Sequence, residues 1–225
     1  MKNIIAQRPV RILAMISALT LGATGTASAA QREPAARSCP TAEVFATDNT
    51  AIITDPGDPR LSTHLTRFDR EVRSIIHTQG AAAGASTLLG GVFWSTDLQQ
   101  ATYERSREFE VNKISPAGLH HVASVIAKRY GQEAVLTFRC LKRTSPDTDA
   151  VQIQASGVSW TRLHDALVQD PEARARLGGG SVTLDGRLIL VASLADLDLA
   201  RKFTARLGVD WNKTTIRYGD KEFVS

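Results

Sequence analysis

The spacing of hydrophobic residues predicts short strands and amphipathic helices that follow one another twice along the chain. Between residues 60 and 78, leucine, phenylalanine, valine and isoleucine recur every three or four positions, which is typical of a helix with one buried face. Residues 102–111 instead alternate between two kinds of side chain, which is typical of a strand. From 43 to 141 the patterns give the order strand, helix, strand, strand, helix, strand, and a second cycle of the same order follows from 151 to 224.

This repeated order predicts an α+β fold with helices on one face of an antiparallel sheet. The sharper expectation is two tandem ferredoxin-like βαββαβ halves, and a single mixed sheet built from all the strands is the alternative. The first half spans 42–141 and the second 150–225. The polar, turn-rich segment 142–149 is the expected linker. Residue identities do not repeat between the halves, so the duplication is one of pattern only.

Capping and turn residues mark the ends of several elements. Ser115 followed by Pro116 predicts the start of a helix, and Gly131 predicts its end. Ser159 is a second expected N-cap. Asp185-Gly186 lies between two apolar runs and predicts a tight hairpin.

The first 29 residues have the features of a secretory signal peptide. Basic side chains precede a short apolar run, and Ala27-Ser28-Ala29 offers small residues for cleavage after Ala29. The apolar run is too short to span a bilayer as a helix, so we expect no stable membrane insertion. Residues 30–41 are then a disordered leader. The mature protein is expected to be secreted, in the extracellular or cell-envelope space.

The net charge argues against a nucleic-acid partner once the signal peptide is removed. The whole chain carries 27 basic and 23 acidic side chains, a net charge of +4. Cleavage after Ala29 removes Lys2, Arg8 and Arg11 and no acid, which leaves 24 basic against 23 acidic side chains. A near-neutral chain without a dense basic run lacks the electrostatic attraction that nucleic acids require.

The two cysteines, Cys39 and Cys140, are expected to form a disulfide bond. An even cysteine count in an exported protein favours pairing. A metal pair and a nucleophilic thiol are the alternatives. Two cysteines 101 positions apart with no further ligand at metal-binding spacing make a poor zinc site, and Cys140 lies in no known catalytic motif.

Three glutamates form the most suggestive carboxylate group in the sequence. Glu104, Glu108 and Glu110 fall on one face of the strand predicted over 102–111. Glu108 and Glu110 are close enough in sequence for the separation that glycosidases use. The simpler interpretation, which we favour from the sequence, is a solvated strand face balanced by Arg105 and Arg107.

Histidines give no metal or catalytic signature. None lies in an HExxH-like pattern, and adjacent histidines on a helix point about 100° apart. We therefore expect surface or capping roles, no metal site and no cofactor. The histidines are His64, His77, His120, His121 and His164.

The sequence favours binding over catalysis, because no catalytic constellation is evident. The leading hypothesis is an exported protein that binds a protein partner or a small molecule. The alternative hypothesis is a secreted hydrolase that uses Glu108 and Glu110 with a nearby histidine. The sequence assigns no catalytic residues to such an enzyme. It therefore does not decide whether the protein is an enzyme.

Overall fold

The computed structural model describes residues 41–62, 65–142 and 147–225, and this part of the chain contains eight strands and five α-helices. The strands are β1 (Ala42–Ala46), β2 (Ala82–Ser95), β3 (Gln100–Asn112), β4 (Val135–Leu141), β5 (Ala150–Ser156), β6 (Gly179–Thr183), β7 (Arg187–Ser193) and β8 (Thr215–Val224). The helices are α1 (Thr66–Thr78), α2 (Pro116–Tyr130), α3 (Trp160–Gln169), α4 (Pro171–Arg176) and α5 (Leu197–Arg206). Short 3-10 turns lie at Pro59–Ser62, Leu194–Asp196 and Trp211–Lys213.

The eight strands close into one antiparallel barrel. Around the barrel the order is β1-β3-β2-β6-β7-β5-β8-β4, and β4 pairs back to β1. Residues 42–141 supply the neighbouring strands β4, β1, β3 and β2, and residues 150–225 supply β6, β7, β5 and β8. All eight strands therefore belong to a single continuous sheet.

This closure overturns the expected fold class. The α+β prediction of an antiparallel sheet with helices on one face, organised as tandem ferredoxin-like halves, is wrong, because the protein is a closed eight-stranded barrel. Two pairings produce it. Strand β2 pairs with β6 from Leu89 to Phe93, and β4 pairs with β8 along all seven of its residues. Closure leaves none of the eight described strands with a free edge, which open sheets must protect by other means.

The helices lie outside the barrel and cover two separate hydrophobic clusters. Helices α1 and α2 pack on the outer face of β1 and β3, while α3 and α5 pack on the outer face of β5 and β7. Burial of large apolar side chains under the helices, at about 25 cal/mol per Å², supplies much of the stability. Fully buried members of the two clusters include Phe68, Val122 and Ile126 in the first, and Leu163, Leu190 and Phe203 in the second.

Several predicted element ends are confirmed, whereas the helix predicted from residue 60 begins only at Thr66, after the 3-10 turn at Pro59–Ser62. The Ser115 side chain accepts a hydrogen bond from the Gly118 N–H, and Gly131 closes α2 at a φ of 63° that favours glycine. Ser159 caps α3 by accepting from the Arg162 N–H. The β6–β7 hairpin turns at Asp185-Gly186 as expected.

Several predictions fall on residues that the structure does not describe. The signal peptide, its cleavage after Ala29, most of the 30–41 leader, Cys39 and His64 lie outside the described residues. The helices of the described ranges are each too short or too polar to cross a bilayer.

Candidate functional site: two chambers inside the barrel

The barrel interior is lined by one face of every strand. On β3 this face carries Glu104, Ser106, Glu108 and Glu110, because alternate residues of a strand point to opposite sides. The opposite face of β3 points outward, where the Arg105 Nε donates to the Leu61 carbonyl. The interpretation of the glutamate face as a solvated surface is therefore wrong. Its residues are enclosed by the barrel, and Glu108 is only 8% exposed.

A polar chamber of about 330 Å³ occupies one end of the barrel interior. It lies where β1, β2, β7 and β8 begin, and it brings Glu108 and Glu110 together with Glu43 and two arginines. Ionic and hydrogen-bonding groups thus reach this chamber from six different strands. The chamber is lined by Thr41, Glu43, Ala85, Thr87, Glu108, Glu110, Gln154, Arg187, Thr215 and Arg217.

A buried ion pair spans the wall of this chamber. The Arg217 guanidinium donates to the Glu43 carboxylate, and the two side chains are only 13% and 6% exposed. Gln152 donates to the other Glu43 oxygen, and its own amide oxygen accepts from Arg217 at 2.8 Å. Arg217 also donates to the Thr41 hydroxyl at 3.1 Å. These bonds offset the cost of removing two charges from water.

Glu108 lies beside this ion pair, but its carboxyl group has a raised pKa and hydrogen-bonds to another carboxyl group. Burial, followed by the negative charge of Glu43, raises the pKa of Glu108 to about 7, although Arg187 and Arg217 act in the opposite direction. Its carboxyl group hydrogen-bonds to Glu43, so the two carboxyl groups share a proton in the acid form. A carboxyl group that exchanges its proton near neutral pH is suited to acid–base chemistry.

Glu110 occupies a third environment within the same chamber. It lies directly opposite Glu43 in the β1–β3 register, and its Oε2 accepts a hydrogen bond from the Ala85 N–H at 3.1 Å. Glu108 hydrogen-bonds with Glu43 rather than with Glu110, the residue that the sequence had grouped with it. The structural pair in this chamber is therefore Glu43 with Glu108.

A buried layer separates the polar chamber from the other end of the barrel. Leu89, Phe138 and Gln152 face inward and are fully buried. The Arg217 guanidinium lies 5.6 Å from the centre of the Phe138 ring. No lining residue of the polar chamber also lines the chamber beyond this layer, among the residues that the structure describes.

An apolar chamber of about 400 Å³ occupies the opposite end of the barrel. It lies where β1, β7 and β8 end and where β4 and β6 begin. Apart from Glu104, its lining offers small polar or neutral groups such as Ser106 and Ser181. Its apolar walls come from Phe45, Phe93, Leu136, Ile189, Val191 and Phe223.

Glu104 is the ionisable side chain of the apolar chamber. Burial raises the pKa of Glu104, and a hydrogen bond from Ser106 opposes this shift. A wider surface groove of about 700 Å³ shares Glu104, Phe93, Gln132 and Phe223 with the chamber and leads outward from it. Phe223 is 66% exposed, so an aromatic ring stands at the entrance.

Gln132 adds an unsatisfied donor close to the same entrance. Its Oε1 accepts from the Thr47 N–H at 3.1 Å, whereas its buried Nε2 has no hydrogen-bond partner in the described part of the chain. Buried polar atoms without partners are uncommon in folded proteins. The entrance therefore has a vacant donor that an acceptor group of a ligand could meet.

The four histidines that the structure describes lie away from both chambers. His120 contacts Glu222 at 2.9 Å and His164 contacts Asp165 at 2.9 Å, while His77 and His121 are exposed. Within the described ranges none of them lines either chamber. None of the four described histidines thus lies in the chamber with Glu108 and Glu110. No group of three or more histidine, cysteine or acidic side chains is arranged to hold a metal ion in the described ranges.

Cys140 lies inside the barrel wall. It is 2% exposed and packs with Phe138 and Ala150. Because Cys39 lies outside the described residues, the Cys39–Cys140 disulfide stays a prediction from the sequence.

Sequence reasoning missed most residues of the polar chamber and its wall, among them Glu43, Gln152, Gln154, Arg187 and Arg217. A signal for one pair was present. Gln152 and Gln154 alternate with apolar residues in a predicted strand, just as the glutamates do in residues 102–111. Polar residues at alternate positions on several strands are compatible with a polar barrel interior as well as with a solvated face.

Comparison with known proteins adds little to this geometry. No protein-family model matches the chain, and no curated protein is similar to it. One solved structure, described as "Crystal structure study of anthrone oxidase-like protein", covers 82% of this chain and 93% of its own at 10% identity and a TM-score of 0.24. A likeness this low carries no argument for fold or function.

Proposed function

We propose that this protein binds a small, largely apolar molecule in the apolar chamber. The observation that carries the proposal is a 400 Å³ cavity with apolar walls and a single ionisable group, Glu104. Small-molecule sites in proteins have volumes of about 300–1,000 Å³ and combine apolar walls with a few polar groups that fix orientation. The wide groove beside the chamber supplies a route of entry.

The chemistry of the lining limits the class of ligand. Three phenylalanines, together with Leu136, Ile189 and Val191, favour a flat aromatic or aliphatic body. Transfer of that body from water contributes about 25 cal/mol for each Å² of apolar surface buried. Glu104 can accept a hydrogen bond from a ligand hydroxyl, and the vacant Gln132 Nε2 can donate to a ligand oxygen. A molecule with one hydroxyl group at its end fits this arrangement.

A naphthol titration tests the proposal. The aromatic alcohol 2-naphthol has an apolar body and one hydroxyl group, and its binding can be followed by calorimetry. Leu136→Trp places a larger ring in the half-buried wall of the chamber, so we expect the affinity for 2-naphthol to fall at least about tenfold, or 1.4 kcal/mol.

Leu98→Trp is the matched control, because Leu98 is 43% exposed in the β2–β3 turn and lines neither chamber. It should bind 2-naphthol like the unmodified protein. The proposal fails if the unmodified protein does not bind 2-naphthol, or if Leu136→Trp binds it equally well while unfolding at an unchanged temperature.

We also propose that the protein acts after export. This rests on the basic, apolar and small-residue segments of residues 1–29. Binding of a small apolar molecule needs no nucleotide or reduced cofactor, so the proposed activity is compatible with an extracellular or cell-envelope location.

A further inference from the structure

The two arginines of the polar chamber differ in how far their donors are used. Arg217 donates to Glu43, Gln152 and Thr41. Arg187 donates from Nη1 to the Gln154 side chain at 3.1 Å, and its Nε and Nη2 have no acceptor among the residues described. It forms no ion pair within 4 Å in that part of the chain. A half-buried guanidinium in a cavity wall thus retains unused donors.

The three carboxyl groups of the chamber also differ in their hydrogen-bond and ion-pair partners. Glu43 is neutralised by Arg217, and Glu110 accepts from the Ala85 N–H. Glu108, which is 92% buried, receives no hydrogen bond from an N–H or hydroxyl donor of the described residues. Arg187 therefore faces a 330 Å³ cavity with hydrogen-bond donors that the described residues do not use, and the hydrogen-bonded Glu43 and Glu108 carboxyl groups line the same cavity.

We propose that the polar chamber is a second ligand site, independent of the apolar one, and that it takes a small organic carboxylate held by the Arg187 guanidinium and by the hydroxyl groups of Thr87 and Thr215. A carboxylate can accept two hydrogen bonds from the fork of an arginine. When Glu108 shares a proton with Glu43, it adds no negative charge beside the ligand carboxylate. Thr87, directly opposite Glu108 in the β2–β3 register, and Thr215 place their hydroxyl groups in the same cavity.

The unused donors of Arg187 favour an anion over a cation. With Glu108 protonated, the charges of Glu43 and Glu110 are balanced by those of Arg187 and Arg217. Asp185 interacts electrostatically with Arg187, but no carboxylate of the described residues lies within 4 Å of the Arg187 guanidinium, and a ligand carboxylate would supply that contact. Ionised Glu108 would instead make the chamber net negative and would favour a cationic amine.

Binding of the anion should therefore be linked to the protonation of Glu108. The charged groups that face Glu108 are Glu43 on β1, Glu110 on β3, Arg187 on β7 and Arg217 on β8. Their sum, with burial, raises the pKa of Glu108 to about 7. Carboxylate affinity should rise as the pH falls through this value, by up to about tenfold between pH 8 and pH 6.

The test is a calorimetric titration of the full mature chain with lactate at pH 6, 7 and 8, with neutral lactamide and cationic ethanolamine as comparison probes. We expect lactate to bind more tightly than lactamide, and more tightly at pH 6 than at pH 8. Arg187→Gln should weaken lactate binding at least about tenfold, the usual effect of losing a charged hydrogen-bond donor.

Two variants keep the result interpretable. Arg187→Lys keeps the positive charge, and it should retain measurable lactate binding and a thermal unfolding midpoint near that of the unmodified protein. Arg139→Gln removes an arginine paired with Asp220 and not lining the polar chamber, and it should leave lactate binding unchanged.

Three results would overturn the proposal. These are the absence of lactate binding at pH 6, equal binding by Arg187→Gln, or tighter binding of ethanolamine than of lactate with affinity rising from pH 6 to pH 8. None of them bears on naphthol binding in the apolar chamber, so the two proposals can fail separately.

Discussion

The two ends of the barrel interior differ in how buried ionisable groups are stabilised. At the polar end, Glu43 and Arg217 neutralise each other, and Gln152 satisfies the remaining carboxylate oxygen. At the apolar end, Glu104 has no cationic partner in the described chain, and burial raises its pKa instead. The same strands build both ends.

The difference follows from which strand positions carry charge. Inward positions near the starts of β1, β7 and β8 hold Glu43, Arg187 and Arg217, whereas inward positions near the ends of β1, β7 and β8 hold Phe45, Val191 and Phe223. A buried charge is tolerated when a partner lies within reach, and otherwise the group shifts toward its neutral form. The polar end is thus built for charge, and the apolar end for hydrophobic contact.

The largest effect is expected from removing Arg217, the cation that neutralises Glu43 at the polar end. Arg217→Met keeps a long side chain but leaves Glu43 buried without its ion-pair partner. We expect the free energy of unfolding to fall by about 3–5 kcal/mol, since loss of one partner exposes the cost of the other buried charge. Urea denaturation of both proteins at pH 7.5 measures this change in the free energy of unfolding.

The matched control for this variant is Arg139→Met. Arg139 pairs with Asp220 across β4 and β8, but both side chains are about one-third exposed. Its loss should cost no more than about 1 kcal/mol. Equal losses for the two variants would show that the Glu43–Arg217 pair is not a special feature of the barrel interior.

A smaller effect is expected from the pH dependence of stability that Glu108 causes. Because the pKa of Glu108 is raised from 4.5 to about 7 in the folded protein, its proton stabilises the fold fully below about pH 4.5. That stabilisation is lost as the pH rises through 7. Glu108→Gln should therefore gain stability relative to the unmodified protein between pH 5 and pH 8, on the order of 1–3 kcal/mol.

Parallel urea denaturation of both proteins at pH 5, 6, 7 and 8 measures this change. A stability difference that stays constant across these four pH values would contradict the proton-sharing role of Glu108, and would leave it as an ordinary buried polar side chain.

Local features of this fold could be predicted from the sequence, while its closure could not. The Ser115 cap, the Gly131 helix end and the hairpin at Asp185-Gly186 depend on neighbouring residues alone. Closure depends on the pairing of β2 with β6 and of β4 with β8, which joins residues 77 to 94 positions apart. Nothing in the side-chain alternation of a strand specifies which distant strand it pairs with.

The candidate site shows a related limit. The alternation in residues 102–111 placed Glu104, Glu108 and Glu110 correctly on one face of β3, yet the polar face was assigned to solvent. In this barrel the helices cover the outer face and the sheet encloses the inner one, so both faces of β3 are shielded. Polarity alone does not distinguish a solvated face from a polar interior.

The most direct test of the two-chamber account is a methyl NMR titration with 2-naphthol. Leu136, Ile189 and Val191 report on the apolar chamber, whereas Thr87 and Thr215 report on the polar one. We predict shifts of the first three methyl groups, through the ring current of the bound naphthol, and unchanged signals from the two threonines. Shifts confined to the threonines, or signals that do not change at any of the five residues, would contradict the account.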